Sequence, residues 1–219
     1  QYQQIVDLVL CPLQDPCIAL RGSENFIAKL SPQSRSGDQI TSFHKDRTYI
    51  VTGAYGALGQ QVTHWLIDRG VRHLLLLARK TPSPNPFKIV ANDNVAIYDR
   101  SCDLGNFDEL QEILKSTLPE IPTIAGLFHC AGQLNDEPLV DSTSSGLESV
   151  LNGKALGAQN LDTLLESQPL EQFVMFSSAA SVLGNGGQSS YATANAFLDG
   201  VAHARKTRGL PALSINWGP

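Results

Sequence analysis

Thr48-Tyr49-Ile50-Val51-Thr52-Gly53-Ala54-Tyr55-Gly56-Ala57-Leu58-Gly59 is the stretch that decides the fold. Residues 48–51 form a short β-rich run, and residues 58–68 repeat apolar Leu58, Val62, Trp65 and Leu66 at helical spacing. The glycines therefore lie where a strand turns into a helix, the context that gives a glycine pattern meaning. There Gly53 allows the tight turn, Gly56 lets a pyrophosphate approach the backbone, and Gly59 permits close helix–strand packing. The helix start offers unpaired N–H groups and partial positive charge to the phosphates. A purely structural turn would show the same glycines, so the downstream residues must decide between the two.

Downstream, strand and helix alternate. Residues 73–78 are a continuous apolar run, as in strands buried on both faces. Residues 95–98, 126–128, 173–176 and 212–215 supply further short strands, and residues 107–118, 147–165 and 191–208 supply helices. The pattern predicts an α/β fold, a Rossmann-like doubly wound parallel sheet with helices on both faces. One crossover is unusual. Only fifteen residues separate Arg79 from Val95, and Pro82, Pro84 and Pro86 leave no helical period, so an irregular or very short helix is expected there. Residues 1–46 read differently. Residues 18–30 suggest a β-hairpin with a glycine-containing turn, and the polar residues 31–46, with Pro32 and Gly37, suggest a linker.

Bulk properties narrow the function classes. In 219 residues, 42% hydrophobic and 17% charged content describes a globular chain with a substantial core. A formal charge of -5 argues against an electrostatic grip on nucleic acid or an anionic membrane. No apolar run reaches the length of a membrane span, and Gln1-Tyr2-Gln3-Gln4 lacks the basic start of a signal peptide. Cys11, Cys17, Cys102 and Cys130 form no CxxC pair and the five histidines are scattered. Free thiols in a reducing cytoplasm are expected, and no metal site.

Four side chains carry the chemistry: Tyr191, Asn195 four residues later, Ser178 thirteen before the tyrosine, and Lys154 twenty-four before the serine. When hydride reaches a carbonyl carbon, charge develops on oxygen and must be met by a proton. Tyr191 is the expected donor, Lys154 the cation that favours its phenolate, and Ser178 the hydroxyl that orients the carbonyl oxygen. Asn195 lies one helical turn beyond Tyr191, where its amide can hold a water or backbone group beside Lys154. Arg79 closes the second strand where NAD-binding folds place an acid; with Lys80 it suits a 2′-phosphate, hence NADPH. Asp103 ends the third strand, where it can accept from an adenine amine or cap the helix at Phe107. Ala131 and Gly132, after His129-Cys130, are small enough for a nucleotide to lie against the backbone. Taken singly, each of these residues has an ordinary structural reading.

Together with Val51 to Gly59, the runs Leu74 to Arg79, His129 to Gly132, Lys154 to Leu161, Phe176-Ser177-Ser178, Gly187 to Asn195 and Asn216-Trp217-Gly218-Pro219 resemble the ketoreductase domain of modular polyketide synthases. That family belongs to the short-chain dehydrogenase/reductase superfamily, whose stand-alone members place lysine four after the tyrosine and asparagine upstream. Here the two have traded places. The resemblance implies NADPH-dependent reduction of a β-ketoacyl chain, carried by the phosphopantetheine arm of an acyl carrier protein within neighbouring synthase domains, to a β-hydroxyacyl chain. It implies coenzyme contacts from Thr52, Gly53, Tyr55, Gly56, Leu58, Ala78, Arg79, Asp103, Leu104, Ala131 and Gly132. Leu134-Asn135-Asp136 resembles the Leu-Asp-Asp signature of members that give the D-hydroxy product (B-type), from which Asn135 departs. Leu183 stands where the opposite class carries tryptophan, and Thr193 where proline marks epimerising members. The hairpin resembles the last one of a truncated structural subdomain, giving expected divisions of 1–46 and 47–219, the latter without a C-terminal lid segment. A free-standing NADP-dependent alcohol dehydrogenase and an inactive nucleotide-binding module of a synthase are the alternatives.

Overall fold

A computed structural model describes residues 18–22, 24–27, 31–32, 42–87 and 94–218. Cys11, Cys17 and much of the expected linker lie outside them, as do residues 88–93 of the short crossover. Two compact units divide at Thr41/Ser42. The first holds an antiparallel hairpin of β1 (Ile18–Arg21) and β2 (Glu24–Ile27), with Arg21 opposite Glu24. Its turn is tighter than the sequence suggests, because Gly22 takes a left-handed φ of 63° and brings Arg21 and Glu24 into the ladder.

The second unit is built on a six-stranded parallel sheet. In chain order its elements are β3 (Thr48–Thr52), α1 (Ala57–Asp68), β4 (His73–Ala78), β5 (Ala96–Ser101), α2 (Phe107–Thr117) and β6 (Ile124–His129). There follow α3 (Ser144–Leu151), α4 (Gly157–Leu164), β7 (Gln172–Ser178), α5 (Ala180–Leu183), α6 (Ser189–Thr207) and β8 (Leu213–Trp217). The spatial order is β5-β4-β3-β6-β7-β8. The order reverses between β3 and β6, so a crevice opens at their carboxyl ends, where doubly wound sheets bind ligands.

The period-two alternation of the central strands makes the two cores. Ile50, Leu75, Leu77 and Leu127 face one layer with Leu110, Leu114, Leu161 and Leu198 from α2, α4 and α6. Tyr49, Val51, Leu74 and Leu76 face the other with Val62 and Leu66 of α1. Each such buried leucine or isoleucine contributes about 1.5–3 kcal/mol by leaving water. Phe43, within the expected linker, belongs to this unit. Its ring stands edge-on to Tyr49 at 5.3 Å and to Trp65 at 5.1 Å, so the core claims residues whose polar neighbours had suggested a tether.

One expected helix is not continuous. Between α3 and α4 the chain makes a π-helical turn at Asn152–Leu156, in place of an unbroken helix over residues 147–165. Such widened turns commonly occur at functional sites, and this one carries Lys154.

Candidate active site

The glycine loop leaves β3 with Gly53 at φ 61°, and a Cβ there would meet the Ala131 backbone at 2.7 Å. A Cβ at Gly59 would lie 2.2 Å from the Gly53 carbonyl oxygen. Both positions require glycine, for the turn and for the close approach of α1. Beside the loop opens a cavity of about 670 Å³, lined by Gly53, Tyr55, Gly56, Ala78, Arg79, Lys80, Asp103, Leu104, Ala131 and Gly132 among others. The floor is therefore glycine backbone, and two exposed cations stand at the end of β4. That suits a nucleotide with phosphate charge: the side-chain-free glycine loop and the N-terminus of α1 at one end, guanidinium and ammonium at the other.

Two residues expected at this cavity do not line it. Leu58 is the second residue of α1 and is half exposed. Thr52 is fully buried, with its hydroxyl engaged by His129 Nδ1 at 2.8 Å. Asp103 reaches the cavity, but the helix cap is not its work: Asn106 accepts the Glu109 N–H at 3.2 Å. Asp103 instead accepts from Gly105 N at 3.0 Å and from Asn152 Nδ2 at 3.0 and 2.9 Å. Asn152 thus anchors the π turn to the strand end.

Of the four expected chemical residues, Lys154, Tyr191 and Asn195 are linked to one another, and Gly132 of the cavity wall lies beside Lys154. Lys154 is buried, 5% exposed, and its Nζ lies 5.4 Å from the centroid of the Tyr191 ring. The same Nζ donates to the Phe176 carbonyl at 2.9 Å, and a Cβ on Gly132 would lie 3.4 Å from it. The lysine therefore sits between the tyrosine and the cavity wall. Burial pulls its ammonium down to about 8, with Cys130 and Asp199 acting in the opposite direction. Asn195, fully buried, donates from Nδ2 to the Tyr191 carbonyl at 2.7 Å, while Ser177 Oγ donates to the Asn195 carbonyl at 3.1 Å. The buried Asn195 Oδ1 has no protein partner, which leaves an acceptor for a small polar molecule. Ser178 ends β7, and its Oγ accepts from Ala180 N at 3.2 Å, leaving its proton for an acceptor in the crevice.

Leu134, Asn135 and Asp136 lie in the loop after β6. Gln188 Nε2 donates to Asp136 Oδ2 at 2.9 Å, Asn135 Nδ2 donates to Glu137 Oε1 at 3.2 Å, and Glu137 N donates to the Gly187 carbonyl at 2.8 Å. The loop is thus fastened to the segment that leads into Tyr191. Leu183, on the short α5, is exposed.

The sequence reading gave His129 no role beyond closing a strand. It is fully buried, and burial lowers its imidazole to about 4. Its Nε2 meets the Lys154 carbonyl at 2.9 Å. The available signal was its register, since Thr52 and His129 are partners across β3 and β6.

Residues 47–219 match the family model for the KR domain. The chain belongs to the KR-domain family. It is 37% identical over 209 residues to 6-methylsalicylic acid synthase of Aspergillus niger, covering 87% of this chain and 12% of that protein. It is also 37% identical over 209 residues to polyketide synthase GfsA of Streptomyces halstedii, covering 93% of this chain and 3% of that protein. The KR domain thus spans a small part of the relatives it matches. Among solved structures, A-type ketoreductases from a modular polyketide synthase superpose with a TM-score of 0.85 at 29% identity, over 98% of this chain and 46% of that one. The short-chain dehydrogenase/reductase fold and oxidoreductase class follow, and KR domains bind nicotinamide coenzymes. Among the described residues, no helix is long and apolar enough to cross a membrane, and no group of His, Cys, Asp and Glu could hold a metal. Burial pushes the thiols of Cys102 and Cys130 up to about 12, leaving both poor nucleophiles.

Proposed function

We propose that this KR domain reduces a β-ketoacyl thioester, held on an acyl carrier protein, to the D-β-hydroxyacyl thioester with NADPH. The observation that carries the reading is the buried ammonium of Lys154 lying against the Tyr191 ring at one end of a glycine-floored crevice. NADPH supplies the hydride when bound. Gly53, Gly56 and Gly132 give its phosphates and ring an approach to bare backbone, and Arg79 with Lys80 would meet the 2′-phosphate. Tyr191 delivers the proton to the carbonyl oxygen, Ser178 donates a hydrogen bond to that oxygen, and Lys154 stabilises the phenolate left behind. Asn195 holds the main chain of Tyr191 and presents Oδ1 for a water that could return the proton. The D-product assignment rests on the likeness of Leu134-Asn135-Asp136 to the Leu-Asp-Asp signature, in a loop that Gln188 ties to the segment before Tyr191.

Turnover of a carrier-bound β-ketoacyl thioester with NADPH and with NADH, followed by chiral analysis, tests the reading. NADPH-selective formation of the D-hydroxy thioester is expected. Reduction of free ketones with none of the thioester would favour a stand-alone dehydrogenase. Tight NADPH binding without turnover of either would make the domain an inactive nucleotide-binding module.

A further inference from the structure

His129 is a buried titratable group that the proposed chemistry does not use, yet it touches the machinery on both sides. A carbonyl can only accept, so the contact with the Lys154 oxygen puts the imidazole proton on Nε2. Nδ1 then accepts, and its partner is the Thr52 hydroxyl at 2.8 Å, which itself accepts from Ala131 N at 3.3 Å. The result is one directional chain: Ala131 N–H to Thr52 Oγ, Thr52 O–H to His129 Nδ1, His129 Nε2–H to the Lys154 carbonyl. It runs from the end of β3, next to the glycine loop, through β6 into the π turn. Gly157, one residue past that turn, packs beside the ring: a Cβ there would stand at ordinary contact distance, 3.5 Å, from His129 Cε1 and only 2.9 Å from Leu104 Cβ.

We propose that His129 is the positioning residue for Lys154: it clamps the lysine's main chain at the π turn, and through Thr52 it sets that clamp relative to the dinucleotide cradle. The inference rests on the proposed role of Lys154. Every donor and acceptor of the chain is used, so the imidazole stays neutral in one tautomer, and burial reinforces that state. The long side chain of Lys154 leaves a backbone atom whose position is fixed, and its ammonium falls under the Tyr191 ring.

Nitrogen NMR of histidine-labelled protein tests the clamp first. The Nε2–H tautomer of His129 is expected throughout the neutral range, and an Nδ1–H tautomer would overturn the proposal. The second arm follows the Lys154 side-chain titration and NADPH turnover in His129→Asn, whose shorter amide loses the reach to residue 154, and in His129→Gln, whose amide can keep it. His129→Asn should move the Lys154 midpoint from about 8 towards 10.5. It should lower kcat about tenfold with NADPH affinity changed less than about threefold, and His129→Gln should restore both. A Lys154 midpoint unmoved in His129→Asn, whatever the loss of melting temperature, would reduce His129 to a structural bridge. Thr52→Val, which removes only the hydroxyl, should keep the Nε2–H tautomer that the Lys154 carbonyl fixes but shift the Nδ1 resonance by loss of its donor; an unchanged Nδ1 resonance would contradict the role of Thr52. Should the wild-type domain reduce no thioester, the proposed function falls, and the tautomer and the Lys154 titration still judge His129.

Discussion

Replacing Lys154 with methionine should make the domain more stable and nearly inactive. The side chains are similar in length, and the replacement removes a charge from a site only 5% exposed. Burial lowers the ammonium from 10.5 to about 8, a difference of about 2.5 units and hence about 3 kcal/mol against the charged form near neutrality. The lost hydrogen bond to the Phe176 carbonyl returns about 1 kcal/mol, leaving a net gain of about 2 kcal/mol. For a domain of this size that is a rise of roughly 4–8 °C in Tm at pH 7. The sign in pH is fixed. Between about 8 and 10.5 the unfolded chain binds more protons at this lysine than the native one, so wild-type stability rises with pH across that window. The methionine variant lacks that rise, and its advantage should shrink towards pH 10.5. Thermal melts at pH 7 and 10, with coenzyme oxidation followed alongside, read both effects. A variant less stable than wild type at pH 7, or one that keeps its turnover, would refute the reasoning.

Tyr191→Phe should lower kcat about 10²- to 10⁴-fold while NADPH affinity, read by fluorescence titration, stays within about threefold, because the proton is lost and little contact surface. Arg79→Ala should weaken NADPH roughly 10- to 100-fold and leave NADH unchanged; equal losses would remove the 2′-phosphate role. Acidification should destabilise the wild type as pH falls from 6.5 to about 4, where unfolded His129 is protonated and the native ring is not, by up to about 3 kcal/mol; a His129→Gln variant should show a flatter denaturant-midpoint profile across that range. Gly53→Ala should destabilise by more than about 2 kcal/mol, since φ is 61° and the new Cβ meets backbone rather than a side chain that could move; a neutral urea midpoint would contradict this.

The sheet was legible because its strands are apolar runs and its glycines stand at a strand-to-helix turn. Strand ends were not, since β5 continues through polar Asp99 and Arg100 to Ser101, held by pairing with β4 rather than by hydrophobicity. The π turn was invisible for a related reason. Residues 147–165 carry an ordinary helical period, and the widening reflects tertiary contacts: Asn152 reaching Asp103 and the Lys154 carbonyl accepting from His129. Of the site, the four chemical side chains could be picked out by type and spacing, and the structure sets Lys154 against the Tyr191 ring and Asn195 against the Tyr191 carbonyl. Their supports could not. A histidine that acts through a backbone carbonyl, and a threonine that acts through that histidine, leave no pattern in a single sequence until strand register pairs them. Leu58, second in α1, is half exposed and outside the cavity lining, a placement that its type and spacing did not announce.

The most direct test of the central claim is a single turnover of a carrier-bound β-ketoacyl thioester with NADPH deuterated at C4 of the nicotinamide. The account predicts deuterium on the β-carbon of the hydroxyacyl product with wild-type protein, and almost none with Tyr191→Phe or Lys154→Met despite bound coenzyme. Equal deuterium transfer by all three proteins would contradict it.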